Sequence, residues 1–375
     1  MPVYVDVSAA VHGRAGLGRY ARTLAETLVA RYPGEIAIFY NRDRAARPVE
    51  SLRDVPARTV PLGYKPWRMA VWLGQLARLS FRRLLPGAVL YHATEHLLMP
   101  LRGVPTVLTV HDLIYRLFPR HHKRLNYWFL NAAMPLFVAR ADHIVAISQA
   151  TKRDLVQHYG IDPEKVTVIY EAAAPRFQPM SAAAVAAARA RYHLPEHFML
   201  HVGTIEPRKN LARVLAALEQ LRAEGLDLAL VIVGGKGWLY DDFFARLAES
   251  PARQAVVLPG YVPDEDLPAV YGAADLVVMA SVYEGFGLPV LEGMACGTPV
   301  AASRMSSLPE LGGDAALYFD PYDVPAMAAV IRRICRESGL AEMLRARGLA
   351  QAARFSWEQA ADETMALYRR LIAAL

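Results

Sequence analysis

The sequence predicts an α/β protein built from two doubly wound, parallel-sheet domains. Three observations lead there. Short, Val-rich apolar runs alternate with longer segments of helical periodicity, as expected of strands buried on both faces and the helices that cross between them. The chain has 375 residues, too many for one average domain and enough for two. The order of strand, glycine-containing loop and helix begins afresh after residues 172–181, where Pro175 and Pro179 break the periodicity. A cleft between two such domains is the natural place for a ligand.

In the first half, residues 3–7 read as a strand, and Gly13, Gly16 and Gly18 lead into a helix that ends near Arg31. Their order, G-x-x-G-x-G, is not the dinucleotide fingerprint, which disfavours an NAD-dependent oxidoreductase. The glycines serve either a tight turn or a close approach to a ligand. Residues 35–40 form a second strand, followed by a polar, Arg-rich loop to about residue 57. Residues 65–85 read as one helix with Trp67, Trp72 and Phe81 beside Arg68, Arg78, Arg82 and Arg83. That mixture suits a helix on the sheet with a basic edge, or an interfacial helix touching anionic lipid. Residues 88–91 and 106–110 are strands, and the second ends in His111-Asp112. His111 is then either a core histidine or a ligand-facing group. A helix over 121–140, a strand over 142–147, a helix capped by Ser148 and a strand over 166–170 complete this half.

The second half repeats the pattern. A strand over 198–202 runs into Gly203-Thr-Ile-Glu-Pro-Arg-Lys-Asn210, and Leu211, Val214, Leu215, Leu218 and Leu221 follow at helical spacing. A strand over 228–233 ends in Gly234-Gly-Lys-Gly-Trp238, and one over 256–258 ends in Gly260-Tyr261-Val262-Pro263. A helix from about Glu265, strands near 275–280, 300–303 and 315–319, and helices over 324–336, 340–354 and 357–371 finish the chain. Asp264 and Asp266 form D-x-D, a spacing that can hold a divalent ion. Placed after a proline and at a helix start, they are expected to cap free amides instead. No other His/Cys/Asp/Glu group has ligand spacing, so no metal is expected.

Composition narrows the function classes. Hydrophobic residues make up 54% and charged residues 21%, which fits large cores and excludes a disordered chain. There is no apolar run of about 18 residues and no basic, apolar leader at the N-terminus. Cys296 and Cys335 are too few for a disulfide framework, and a reducing cytoplasm is expected. The formal net charge of +6 is uneven: residues 1–180 hold 24 Lys and Arg against 13 Asp and Glu, and residues 181–375 hold 18 against 23. A basic half fits solvated helix faces, an anionic acceptor or an anionic membrane surface, and nucleic acid is not expected.

The most informative stretch is 281–299, Ser-Val-Tyr-Glu-Gly-Phe-Gly-Leu-Pro-Val-Leu-Glu-Gly-Met-Ala-Cys-Gly-Thr-Pro. A glycine loop passes from the carboxyl end of a strand into a helix N-terminus, with Pro289 at its start. Backbone amides and the helix dipole there favour an anion such as phosphate. Glu284 and Glu292 flank it, and carboxylates accept hydrogen bonds from hydroxyls. The pair suggests a ligand with both phosphate and sugar.

Glu284 and Glu292 form E-x7-E, and together with Gly203–Asn210 this pattern resembles the retaining GT-B glycosyltransferases of family 4, over essentially the whole chain. The resemblance implies two Rossmann-like domains facing across a cleft: residues 1–174 on the acceptor side, a linker over 175–195, and residues 196–355 binding the sugar nucleotide. A terminal helix, 356–375, would cross back to the first domain. By the family pattern Glu292 would bind ribose hydroxyls, Glu284 the donor sugar, and Gly285, Phe286, Gly287 and Leu288 the phosphates and sugar through their amides. Arg208 and Lys209 would neutralise the diphosphate, beside Gly203. Gly16 would let its loop approach the phosphates, His111 would lie near the reacting centre, and Tyr261 and Val262 near the base. Arg208, Lys209, Glu284 and His111 are thus the expected catalytic groups. Neither a cofactor nor a metal is implied, because two cations already face the leaving group. Thr204 stands where many members have Arg. The form of the Arg-Lys-Asn loop resembles the mannosyltransferase-like branch, implying GDP-mannose as donor, with UDP-sugars next, and a glycan or lipid-linked acceptor. A non-catalytic sugar-nucleotide-binding protein is the alternative.

Overall fold

The computed structural model describes residues 2–121 and 124–374. The chain divides into two units, Met1–Glu171 with Ser356–Leu375, and Ala172–Phe355. In the first unit, strands β1 (Val3–Asp6), β2 (Ile36–Asn41), β3 (Ala57–Val60), β4 (Leu90–Ala93), β5 (Thr106–Val110), β6 (His143–Ala146) and β7 (Val166–Val168) form one sheet in the order β3-β2-β1-β4-β5-β6-β7. Every pairing is parallel. Because helices cover both faces, the strands are apolar at successive positions: Val5, Leu90, Val107, Leu108 and Ile144 are all fully buried. Chain order reverses between β1 and β4, the topological switch at which open α/β sheets receive ligands.

The second unit has the same plan. Strands β8 (Phe198–Val202), β9 (Ala229–Val233), β10 (Val256–Gly260), β11 (Leu276–Met279), β12 (Val300–Ser303) and β13 (Ala316–Phe319) lie parallel in the order β10-β9-β8-β11-β12-β13. Its switch lies between β8 and β11. The terminal helix Trp357–Ala373 belongs to the first unit and packs on the helix Ala15–Arg31. Arg31 grips Asp362 through Nε at 2.7 Å and Nη2 at 2.6 Å, and the Tyr368 hydroxyl lies 2.5 Å from His92 Nδ1.

Several expectations need correction. The Arg-rich loop after β2 ends in a real edge strand, β3, whose pattern is hidden because only Val60 of its four residues is buried. The helix expected over 65–85 stops at Leu76: Arg78 turns left-handed (φ 52°), and Phe81 folds back to fill the space a side chain at Gly74 would occupy. The helix expected over 121–140 spans Arg124–Arg140, with a 3-10 turn at Pro119–His121; residues 122–123 lie outside the described residues. Residues 175–195 fall within the second unit, where Ala182–Tyr192 packs on the helix Leu267–Ala273. Asp266 stands at the start of that helix but makes no side-chain cap hydrogen bond. Asp264 pairs with Arg176 at 2.8 Å, and Asp266 with Arg191 at 2.7 Å and the Tyr192 hydroxyl, so both tie the segment before β8 to the body of the unit. Asp241–Ala248 is a helix that the sequence reading passed over.

Candidate functional site

In the second unit the expected residues converge at the carboxyl edge of β8 and β11, the two strands at the switch. After β8, Gly203 (φ 151°) carries the chain beneath the loop at Gly234, where a Cβ would lie 2.1 Å from the Gly203 carbonyl oxygen. This near-contact requires glycine. Pro207–Lys209 then makes a single 3-10 turn that Asn210 pins in place, its Nδ2 donating to the carbonyls of Ala280 at 3.1 Å and Pro321 at 2.7 Å. Residues 208 and 209 are thereby fixed against the loop that leaves β11.

That loop supplies the counter-charge. Lys209 Nζ donates to Glu284 Oε1 at 2.6 Å, and Ser281 Oγ donates to the same oxygen at 2.5 Å. Arg208 bridges Glu284 Oε2 and Glu206 Oε1, and also donates to the Tyr283 carbonyl at 2.9 Å. The charged groups are nearly sealed from solvent, so electrostatics there are strong. Burial alone would raise the Glu284 carboxyl, but Arg208 and Lys209 outweigh it and hold it at about 2. Burial and the adjacent guanidinium lower Lys209, and burial raises Glu206. Burial and then Lys209 push His201, under the same loop, down to about 4, so it is neutral at physiological pH.

Beside the cluster, Gly287 adopts φ 118° to open the helix Leu288–Ala295, with Pro289 in the first turn. A Cβ at Gly287 would meet Leu308 Cδ2 at 2.6 Å. Ser306 and Ser307 accept from or donate to the backbone of Glu284 and Phe286, which fixes the glycine loop. Glu292 is buried one helical turn further on, and the Tyr271 hydroxyl donates to its Oε2 at 2.8 Å. Of the pair after β10, Tyr261 is exposed, whereas the Val262 side chain lies in the core and offers a ligand only its backbone.

The first unit places His111 at the end of β5 with both ring nitrogens engaged. Nε2 donates to the Thr94 carbonyl at 2.9 Å, and Nδ1 faces Glu171 Oε1 at 3.5 Å. Burial opposes the imidazolium, yet Glu171 prevails and the pKa is raised. Both ring nitrogens of His111 are thus engaged by neighbours within the first unit. Gly16 sits in the first turn of Ala15–Arg31 with open space where a side chain would point. Gly18 is different: a Cβ there would approach the Ala9 carbonyl oxygen to 2.8 Å, so it serves packing.

Sequence reasoning missed Glu206, Ser281, His201 and Glu171. Ser281 was readable, because it lies three residues before Glu284 in a loop. Glu171 was not: 60 residues separate it from His111, and only the β5-β6-β7 order brings them together. Among the described residues no group of three or more His, Cys, Asp or Glu could hold a metal ion, and no helix is long and apolar enough to cross a membrane.

The chain is similar to known glycosyltransferases. Residues 188–351 match the model for "Glycosyl transferases group 1", and residues 14–175 that for "Glycosyltransferase Family 4". The chain is 32% identical over 372 residues to the O-antigen chain mannosyltransferase B of Escherichia coli, covering 95% of this chain and 96% of that protein. It is also 32% identical over 284 residues to a serotype-specific mannosyltransferase WbdA of Escherichia coli, which covers 73% of this chain; the match spans about a third of that longer protein, 35%. Sucrose-phosphate synthase from Thermosynechococcus elongatus superposes with a TM-score of 0.78 at 23% identity, covering 100% of both chains, which establishes a shared GT-B fold. The chain belongs to the group 1, family 4 glycosyltransferases and is a transferase enzyme of that family.

Proposed function

We propose that this enzyme transfers a mannosyl residue, with retention of configuration, from GDP-mannose to a hydroxyl of a glycan or lipid-linked acceptor in surface-polysaccharide synthesis. Similarity to the O-antigen mannosyltransferase along 95% of the chain supports the sugar and the acceptor class; UDP-sugars are the second donor class. The observation that carries the chemistry is the buried contact of Arg208 and Lys209 with Glu284 beside a glycine-opened helix N-terminus.

In the reaction the acceptor hydroxyl oxygen bonds to the anomeric carbon as that carbon's bond to the diphosphate oxygen breaks. The hydroxyl proton passes to the departing phosphate on the same face. Negative charge grows on the diphosphate, and Arg208 and Lys209 are fixed, desolvated cations that stabilise it without a metal. Thr204 leaves that task to these two. Glu284 binds a donor hydroxyl: Oε1 already accepts two hydrogen bonds and Oε2 one, which leaves capacity on Oε2. Amides of Gly285–Leu288 and the loop at Gly203 receive the phosphates, Glu292 the ribose, and Tyr261 and the Val262 backbone the base. In the first unit, the open face of Gly16 admits phosphate, and His111, whose pKa Glu171 raises against the effect of burial, stabilises the reacting centre.

The first unit also rests on an anionic membrane surface. Met69, Leu73 and Leu76 are exposed at helical spacing on Tyr64–Leu76, with Leu79 beyond, and exposed Lys65, Arg78, Arg82 and Arg83 accompany them.

The test is incubation with GDP-mannose and a panel of UDP-sugars in EDTA, following nucleotide release and the anomeric configuration of the product. GDP release from GDP-mannose with an α-configured product is expected. Absence of turnover with every donor would refute the reading.

A further inference from the structure

We propose that Arg14, Tyr64, Arg68 and Glu95 of the first unit form a binding site for the neutral hydroxyls of the acceptor sugar. The proposal rests on the glycosyl-transfer reading above and assigns residues to its second substrate. These four residues gather at the switch of the first sheet. Arg14 follows β1, Glu95 follows β4, and Tyr64 and Arg68 sit one turn apart at the start of Tyr64–Leu76. Parallel sheets accept ligands at this point.

Glu95 is only 4% exposed. Its Oε2 accepts from the Tyr64 hydroxyl at 3.2 Å, while Oε1 is buried without a hydrogen-bond partner. A buried carboxylate oxygen left unpaired is costly, and proteins normally satisfy it. Two guanidiniums, Arg14 and Arg68, act on Glu95 electrostatically, yet neither pairs with it. Arg14 stacks on the Tyr64 ring, 4.4 Å from its centre. Arg68 stacks on Phe129 at 3.8 Å and donates to Asn126 Oδ1 at 2.8 Å. Among the described residues neither guanidinium is paired with Glu95 or any other carboxylate. The arrangement holds two forks of donors and one acceptor apart, as a ligand with both kinds of group requires.

A vicinal diol meets that need. One hydroxyl donates to Glu95 Oε1 and a neighbour accepts from Arg14 or Arg68. An anionic group fits less well, because it would face the carboxylate. The Tyr64 and Phe129 rings are covered by guanidiniums, so recognition runs through hydrogen bonds rather than stacking of the sugar on an aromatic face.

The test is saturation-transfer NMR of the full chain with the methyl glycosides of mannose, glucose, galactose and N-acetylglucosamine, and with monodeoxy forms of whichever binds. The wild type is expected to bind at least one glycoside. Glu95→Gln should raise its Kd about tenfold, the loss of one hydrogen bond to a charged group. It should also abolish the discrimination against the deoxy sugar lacking the hydroxyl that meets Glu95. If Glu95→Gln does not fold, Arg14→Lys takes its place, with the same expected weakening. No binding by the wild type, or equal Kd values in wild type and variant, overturns the site. Glycoside binding without turnover of any sugar nucleotide would instead sink the transfer reading and leave the site standing.

Discussion

Replacing Glu284 by Gln tests the cluster through its pH dependence. The carboxyl ordinarily titrates near 4.5 and is held at about 2 by Arg208 and Lys209 against the opposing effect of burial. That displacement corresponds to roughly 3 kcal/mol favouring the ionised form in the folded state. Because folding lowers the pKa, the contribution is fully present above 4.5 and is lost as the pH falls through 2. By pH 3 about 2 kcal/mol of it has gone. At pH 7 Glu284→Gln also leaves Lys209 and Arg208 facing each other in a dry site, so its cost is about 3–5 kcal/mol. Urea unfolding of both proteins, followed by circular dichroism in the transition of the second unit, measures the gap. It should narrow by about 2 kcal/mol between pH 7 and pH 3, since the Gln variant has no carboxyl to titrate there. An equal gap at the two pH values would refute the claim that the cations hold Glu284 ionised.

Two further outcomes follow from geometry. Gly287→Ala forces a side chain into a left-handed backbone and 2.6 Å from Leu308 Cδ2, so about 2–3 kcal/mol of stability should go, along with donor affinity; unchanged melting and donor Kd would show that the loop does not need glycine. Flotation on vesicles with anionic lipid should carry the protein at low salt and release it at high salt, and Leu73→Glu with Leu76→Glu should abolish it; no flotation at low salt removes the membrane assignment.

The parts of this molecule that were legible in the sequence are those with local causes. β5, β8 and β12 and the helix Val324–Arg336 lie where apolar runs or helical periodicity place them, because buried parallel strands and amphipathic helices carry their signal in neighbouring residues. Arg208, Lys209 and Glu284 were legible as motif positions, and the structure joins them in one contact network. What the sequence hid depends on distant partners. β3 is an edge strand that buries one residue, and the helix stop at Leu76 is set by Phe81 returning onto Gly74. Asp264 and Asp266 have the local setting of caps, but arginines 88 and 75 residues away claim them. His111 shows no sign in sequence of the Glu171 that faces its Nδ1 and raises its pKa. Glu95 lies in no motif, and only the meeting of β1 and β4 brings Arg14 near it.

The central claim is that Arg208 and Lys209, fixed by Glu284, stabilise the departing diphosphate of a sugar nucleotide. The most direct measurement is kcat for GDP release from GDP-mannose in EDTA by the wild type and by Lys209→Met, which keeps the volume and removes the charge. Loss of one such electrostatic group should lower kcat about 10²–10³-fold with a smaller change in KM, since the interaction grows as charge develops. A kcat within about threefold of wild type, in a folded variant, would contradict the account.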